Sequence, residues 1–422
     1  MASLLAPPRR FLRPSIWPLL LVPVLLPFGR SSELGTLACV IGLLVLVARS
    51  GWQGLHRWPS TSLLMVLLSA YVGAALFSAP DALVPAKSWS TVASLLRYLP
   101  LGLYACLVLR DEGRLRVVYL VVAVLVGVWT FAAWLQMLTG WNMRGATTGV
   151  YLTGMFGDDL KFGPTLAVLS PFALWAVRGR WGWRGLLLAF VLLLGPVLLA
   201  GARSAWLCYA LVALVFAWRE AASLRRFAVL CGVGLILLAL AGGVAWKTSA
   251  RFDARVHRTL ALFQGSEHGL DTALTGRLDI WRTTVRMIAA HPFNGVGVRG
   301  FRYAYPSYAP ADDHFVMIEP CGPGQGACHP HQLVLEVLAG TGVLGLLLWL
   351  AASAWAIRAW RQVCEGARRQ AFPVTVALAA MLFPLNTHLA FYSAWWGLLF
   401  AWLLALWCAA LYAEAKNGDA VA

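Results

Sequence analysis

The sequence predicts an all-α polytopic membrane protein with about twelve transmembrane helices. Of its 422 residues, 60% are hydrophobic and only 12% are charged, whereas a soluble domain carries roughly 25% charged residues. Apolar runs of about 20 residues recur along the chain, and that length crosses the hydrocarbon core of a bilayer. Aromatic side chains at the ends of many runs are typical of membrane interfaces, as at Trp58, Trp181, Trp246 and Trp395.

The apolar runs divide the chain into three parts. Residues 1–246 hold helices 1–9, residues 247–330 form a large loop, and residues 331–422 hold helices 10–12. The first run follows three arginines without a small-residue cleavage site, so we expect a retained helix and not a signal peptide. The predicted spans are 15–29, 34–49, 61–79, 91–109, 116–139, 161–178, 184–202, 204–218, 226–246, 331–357, 371–393 and 395–413.

Basic residues predict the orientation of the chain. With the N-terminus in the cytoplasm, 19 of the 34 Lys and Arg residues fall in cytoplasmic segments, as the positive-inside rule requires. The long outside loop is the exception, with nine basic residues, but long loops cross membranes largely regardless of charge. Its charge predicts an anionic partner on the outer side, for which lipid phosphates or diphosphates are the natural candidates and nucleic acid is not expected.

The large loop has helical patterns of its own. Apolar residues recur at helical spacing in 251–263, opposite three arginines, which is typical of a helix on an anionic membrane surface or of a solvated basic face. A second helix is predicted from Thr275 to Ala290, ending at His291-Pro292. The segment 303–330 has no periodicity and predicts a loop over a site. In it, Cys321 and Cys328 could form a disulfide in an oxidising compartment, or remain free thiols.

A histidine marks the point where the chain re-enters the membrane, in His329-Pro330-His331-Gln332. Pro330 suits a first helical turn, and the positive end of the helix dipole disfavours an imidazolium at His331. A neutral imidazole can accept a proton from a hydroxyl. The alternative is a histidine that only caps the helix or lies among lipid headgroups.

Further basic groups lie at the outer ends of other predicted spans. Arg203 falls between two closely spaced runs, and Lys161 begins another. An arginine there either binds something or extends to the headgroups. Arg282 and Asp279 lie three residues apart on the second loop helix, where they could pair with each other. The sequence contains no DxD-type motif and no His/Cys cluster that suggests a metal.

Several of these motifs resemble those of bacterial O-antigen ligases. His331-Gln332, followed after nine residues by Gly342 and then by Gly345, is similar to their histidine-centred signature. The segment from Thr275-Gly276-Arg277 through Trp281 and His291-Pro292 to the Gly295-Val296-Gly297 turn resembles the loop of the wider ligase/polymerase superfamily, as does Arg203 in its Ala-Arg-Ser context.

The resemblance implies a glycosyltransferase C type enzyme of the bacterial inner membrane. Such ligases transfer a glycan from undecaprenyl diphosphate to a sugar hydroxyl of lipid A–core, on the periplasmic face, with inversion and without a metal or other cofactor. The expected catalytic residues are His331 as the base, with Arg203 and Arg277 on the diphosphate. The expected substrate-binding residues are Arg282, Gln332, Lys161, Arg144 and His329.

Three other functions remain open from the sequence. An O-antigen polymerase uses the same donor but extends another lipid-linked glycan. An O-linked oligosaccharyltransferase modifies proteins and usually has a soluble C-terminal region, which is not evident before Ala422. A lipid-glycan transporter predicts charges near mid-membrane and inverted repeats, and the basic residues instead gather at the outer ends of the spans.

Overall fold

The computed structural model describes residues 14–51, 58–144, 152–157, 160–260, 263, 271 and 274–414. Within these ranges the secondary structure is helical and contains no β-strand, apart from an isolated bridge between Asp111 and Glu414. The α-helices are α1 (Trp17–Leu25), α2 (Glu33–Ser50), α3 (Pro59–Ser78), α4 (Pro85–Leu96), α5 (Tyr98–Val108), α6 (Glu112–Thr139), α7 (Phe162–Leu199), α8 (Arg203–Glu220), α9 (Leu224–Thr248), α10 (Ala250–Leu260), α11 (Arg277–Ala290), α12 (Phe301–Tyr308), α13 (His314–Met317), α14 (Leu333–Gln362), α15 (Glu365–Met381) and α16 (Ala394–Tyr412); a 3₁₀ segment, Leu26–Ser32, joins α1 to α2.

The predicted all-α membrane fold is confirmed. Eight helical stretches of the described chain are long and apolar enough to cross a bilayer. Two of them, Trp17–Arg49 and Phe162–Leu199, each contain two predicted spans. The spans predicted at 204–218 and 371–393 correspond to α8 and α15, which have 18 and 17 residues. The number of crossings therefore stays a prediction.

The long helix α7 folds back on itself. Gly182 interrupts it with φ 64° and ψ −157°, a conformation open almost only to glycine. A β-carbon on Gly163, near its start, would lie 2.7 Å from the Ala200 β-carbon, just beyond its end. Both ends of α7 therefore lie together, as expected for the two spans predicted at 161–178 and 184–202.

The core and the periphery of the bundle differ in burial. In α16 every residue from Trp396 to Leu411 is buried, so this helix is surrounded by protein. In α9 Ala245 is the one buried residue, although its apolar composition matches that of the other spans. A helix that is apolar all round and exposed in the monomer must contact lipid, and α9 therefore lies at the edge of the bundle.

The glycine-rich turn after α11 fits into a break in α14. The Val296 N–H donates to Ala339 O (2.8 Å), and the Val343 N–H donates to Pro292 O (2.8 Å). Gly342, with φ 64° and ψ −167°, makes the break. Gly345 lies close to α3, because a β-carbon on it would be 3.5 Å from the Ala74 β-carbon. Gly342 instead accommodates a loop backbone.

Three sequence predictions need correction in this region. The span predicted at 371–393 is helical only to Met381, and residues 382–393 are irregular. The helix predicted to begin at 331 begins at Leu333. The segment 303–330, predicted as a loop, contains most of α12 and all of α13. In the same segment a disulfide joins Cys321 to Cys328, with the Cα atoms 5.5 Å apart.

Candidate active site

A cavity of about 320 Å³ lies where the segments that carry Arg203, Arg277 and His331 meet. Its walls come from the junction of α7 and α8, the basic face of α10, the start of α11, the segment before α14 and the irregular segment before α16. Its described lining residues are Leu160, Gly201, Ala202, Arg203, Ser204, Arg255, Arg258, Thr275, Arg277, Ile280, Phe315, His331, Thr387 and His388. Four of these side chains are guanidinium groups, and none is acidic.

His331 is held in one tautomer. Its Nδ1 lies 2.8 Å from Thr387 O, and a carbonyl only accepts hydrogen bonds, so Nδ1 carries the proton and Nε2 has the free lone pair. Burial, followed by the positive charge of Arg277, lowers the pKa of His331 to about 4, against the opposing effect of the Thr387 carbonyl. The imidazole is therefore neutral at pH 7. The sequence predicted this state from a helix dipole, whereas burial is its main cause.

The backbone around His331 is strained and is fixed by its neighbours. His331 has φ 55°, a left-handed conformation that residues other than glycine rarely adopt. The Trp281 indole N–H donates to Pro330 O (3.0 Å). The His331 N–H donates to Nδ1 of His329 (3.3 Å), and the two rings are in contact, with centroids 3.9 Å apart and planes tilted by 43°. His329 thus supports His331 from behind; it is not among the cavity-lining residues.

Arg203 and Arg277, predicted from separate motifs, line the same cavity. Arg203 donates to the hydroxyl oxygens of Thr259 (3.1 Å) and Thr275 (2.7 Å). Thr275 and Gly276 both have positive φ, and they turn the chain so that α11 begins at Arg277. Burial, and then Arg203, lower the pKa of Arg277 to about 10, so it remains cationic at pH 7.

Positive charge predominates in the described lining of this cavity. No described carboxylate forms an ion pair with Arg203 or Arg277, and α10 adds Arg255 and Arg258 to the lining. The basic face of α10, predicted to lie on a membrane surface or in solvent, thus borders the cavity. Its opposite face packs on protein, since Phe252 contacts Trp206 with ring centroids 5.3 Å apart. Such an arrangement favours an anionic ligand.

Like His329, the other four predicted substrate-binding residues lie outside the described lining. Arg282 is 3.4 Å from Asp279 in an exposed ion pair. Gln332 caps α14, because its Oε1 accepts from the Leu335 N–H (2.6 Å). Arg144 donates to Pro27 O (2.7 Å). Lys161 adjoins the lining residue Leu160, and its Nζ lies 5.4 Å from the centre of the Trp395 ring.

His388 is a site residue that the sequence analysis missed. Its Nδ1 is 2.8 Å from Ser204 Oγ, and burial, then His331 and Arg277, lower its pKa to about 3. His388 was not predicted because the apolar composition of residues 371–393 predicts one continuous span there. The polar run Asn386-Thr387-His388, just after Pro384, was the available signal, because such a run is costly within a lipid-facing helix.

The comparison with known families agrees with this geometry. Residues 188–350 match the O-Antigen ligase family model (Wzy_C). The match runs from the second half of α7 into α14, and it contains Arg203, Arg277, His331 and Gly342. No curated protein gives a significant match to the chain. Residues 188–350 of the chain are thus similar to the O-antigen ligase family, and this match supports the resemblance that the sequence motifs indicate.

Proposed function

We propose that this protein is an O-antigen ligase, which transfers glycan from undecaprenyl diphosphate to a sugar hydroxyl of lipid A–core at the periplasmic face of the inner membrane. The family match supports an enzyme of the glycosyltransferase-like ligase/polymerase type. The observation that carries the proposal is the cavity itself, where a neutral His331 with a free Nε2 lies beside four arginines.

The arginines act on the leaving group. Arg203 and Arg277 bind the diphosphate, whose negative charge grows as the glycosidic bond breaks, and guanidinium forks match phosphate oxygens. The hydroxyls of Thr259 and Thr275 fix Arg203 beforehand. Prior orientation stabilises the transition state without reorganisation during the reaction.

His331 acts on the acceptor. The acceptor hydroxyl gives its proton to Nε2 while its oxygen attacks the anomeric carbon. The bond from that carbon to the diphosphate oxygen breaks, and the electron pair leaves with the lipid diphosphate. A single displacement of this kind inverts the anomeric centre. The bound diphosphate also offsets the repulsion between Arg277 and an imidazolium at position 331, so donor binding makes His331 a stronger base.

Reconstitution tests this proposal. The purified protein in liposomes is given undecaprenyl-diphosphate glycan and lipid A–core, with and without a chelator. We expect transfer that persists in chelator, that is abolished in His331→Ala, and that is normal in His257→Ala. His257 is an exposed histidine of α10 bonded to Asp253, so its variant is a matched control.

The alternatives give different outcomes. Lengthening of the lipid-linked glycan, with lipid A–core left unmodified, would identify a polymerase. Transfer to a protein acceptor would identify an oligosaccharyltransferase, and translocation without bond formation a transporter. Normal transfer by His331→Ala would disprove the role given to this histidine, whichever acceptor is used.

A further inference from the structure

A second group of basic side chains lies near His329 and His331, outside the cavity lining. It consists of Lys87 on α4, Arg299 in the glycine-rich turn and Arg302 on α12, and we call it the second basic cluster. The backbone brings these residues together: the Leu83 N–H donates to Val296 O (3.1 Å), and Ser88 Oγ donates to Val298 O (3.1 Å). Lys87 precedes Ser88 and Arg299 follows Val298, so the hydrogen bond between Ser88 and Val298 brings Lys87 and Arg299 near each other.

The side chains of this cluster form no ion pair within the described part of the chain. Among the described residues, no carboxylate lies within ion-pair distance of Lys87, Arg299 or Arg302. The nearby Asp81 carboxylate instead accepts a hydrogen bond from Asn294 (2.7 Å). Burial and the charge of Arg299 lower the pKa of Arg302. Glu336 is a single carboxylate that interacts electrostatically with Arg299 and Arg302. Three positive charges on partly buried side chains exceed it, and this excess favours an anionic ligand.

The cluster lies next to the two histidines, and none of its residues is among those that line the cavity. Arg277 interacts electrostatically with both His331 and His329. Arg299 interacts with His329, whose ring contacts that of His331, and with the buried Glu336. The cluster is therefore close to the histidine pair and outside the cavity lining.

Backbone strain singles out the same place. In the described chain, the residues other than glycine with positive φ are Thr275, Arg299, Glu319 and His331. Thr275 and His331 line the cavity, and Arg299 belongs to the second basic cluster. Strained residues persist where the surroundings hold them, and they gather at ligand-binding sites. Arg299 combines this conformation with a charge that acts on Lys87.

We infer that the second basic cluster binds phosphate or carboxylate groups of the acceptor glycolipid, so that the acceptor and the donor diphosphate approach His331 from different sides. This inference rests on the proposed function, because it requires an anionic acceptor. Two anionic lipids repel each other strongly in a shared site of low dielectric. Separate basic clusters overcome this repulsion and leave only the acceptor hydroxyl and the anomeric carbon at His331.

The test removes two of the three positive charges of the cluster and leaves the cavity-lining residues in place. In the full-length protein in nanodiscs, the double variant Lys87→Gln/Arg302→Gln is compared with wild type and with Arg286→Gln. Arg286 is an exposed arginine of α11 that donates to Tyr308 O, so its variant removes one positive charge from the same loop. We expect the KM for the acceptor to rise at least about tenfold, as lost charge-assisted hydrogen bonds imply, while kcat and the donor KM stay within about twofold.

Two further conditions identify the ligand. With an acceptor stripped of its phosphate and carboxylate groups, wild type and the double variant should have the same, higher KM. In nanodiscs of neutral phospholipid the effect of the double variant should persist. An effect seen only with anionic phospholipid would assign the cluster to bilayer headgroups and overturn the inference, as would an unchanged acceptor KM.

Failure of the inference is distinguishable from failure of the proposed function. If wild type transfers glycan to lipid A–core and the double variant has the same acceptor KM, only the inference is wrong. If wild type transfers nothing to lipid A–core, the proposed function is wrong. Binding of the acceptor to His331→Ala, measured by native mass spectrometry with and without the double substitution, tests the cluster without turnover.

Discussion

Two glycines break long apolar helices in the same way, in different surroundings. Gly182 in α7 and Gly342 in α14 both have φ 64°, with ψ −157° and −167°. Around Gly182 the space for a β-carbon is empty, and the adjacent Trp181 and Trp183 are 65% and 62% exposed. Around Gly342 the backbone of Phe293 and Asn294 fills that space. The two glycines share their local conformation, so Gly182 and Gly342 differ only in the atoms that pack against them.

The packing at Gly342 connects the two motifs of the site. The carbonyls of Pro292 and Phe293 accept from the N–H groups of Val343 and Leu344, which the break leaves without helical partners. The first part of α14, which follows His331, is thereby fixed to the turn that follows α11. The break in α7 reverses the chain, whereas the break in α14 holds the segment that carries His331, the proposed base.

The largest effect is expected at the α14 break itself. In Gly342→Ala the new methyl group would overlap the Phe293 carbonyl oxygen. The strained backbone costs about 1–3 kcal/mol, and overpacking adds about 1–3 kcal/mol. We expect a clear fall in unfolding temperature and loss of more than about 99% of transfer activity, because a displacement of about 1 Å can cost 10²-fold. Normal activity in this variant would show that the break does not position His331.

A second prediction concerns the histidine that this break positions. Because the pKa of His331 is lowered to about 4, the imidazole stays neutral as the pH falls until that value is approached. The acid limb of kcat/KM for the donor should therefore lie near pH 4. An ordinary histidine with a pKa near 6.5 would be only about 10% neutral at pH 5.5, with a tenfold loss of rate. An acid limb near pH 6.5 would contradict the burial described for His331.

A third, smaller effect is expected where α11 contacts the His331 segment directly. Trp281→Phe keeps the ring packing and removes the hydrogen bond to Pro330 O. A lost hydrogen bond of this type costs about 1 kcal/mol, and we expect kcat to fall about fivefold with little change in the donor KM. Trp246→Phe is the matched control, because it removes an indole hydrogen bond to Asp253 away from the cavity. Equal effects of the two variants would indicate a general loss of stability.

The sequence predicted the helices well, but it did not predict how the turn after α11 fits into the break in α14. Apolar runs locate the spans because the bilayer requires a fixed length of apolar chain. The basic residues between 178 and 184 correctly separated the two halves of α7. The break at Gly342 has no such marker, since it depends on a loop more than forty residues earlier in the chain. A glycine in an apolar run predicts close packing as readily as a break.

The same limit applies to the site. Arg203, Arg277 and His331 could be proposed from motifs, and the structure brings all three to one cavity. His388 and Thr387 could not, because the irregular end of the predicted span 371–393 is set by tertiary contacts, including the bonds to Ser204 and His331. Arg282 is the opposite case: a residue of suitable type and spacing lies on the exposed face of α11, outside the described cavity lining, and its role in substrate binding stays a prediction.

The smallest effect is expected for Gly182→Ala, which completes the comparison. The backbone strain is the same as in Gly342→Ala, about 1–3 kcal/mol, but no atom lies within 4 Å of the new methyl group. An exposed turn can relax, so the loss of stability should be about 1 kcal/mol, the lower end of that range. Transfer activity should stay within about twofold of wild type. Thermal unfolding and transfer rates measured on both variants then separate strain from packing. If Gly182→Ala abolished transfer as Gly342→Ala does, the reversal of α7 would itself position the cavity, since Leu160 and Arg203 line it just beyond the two ends of this helix.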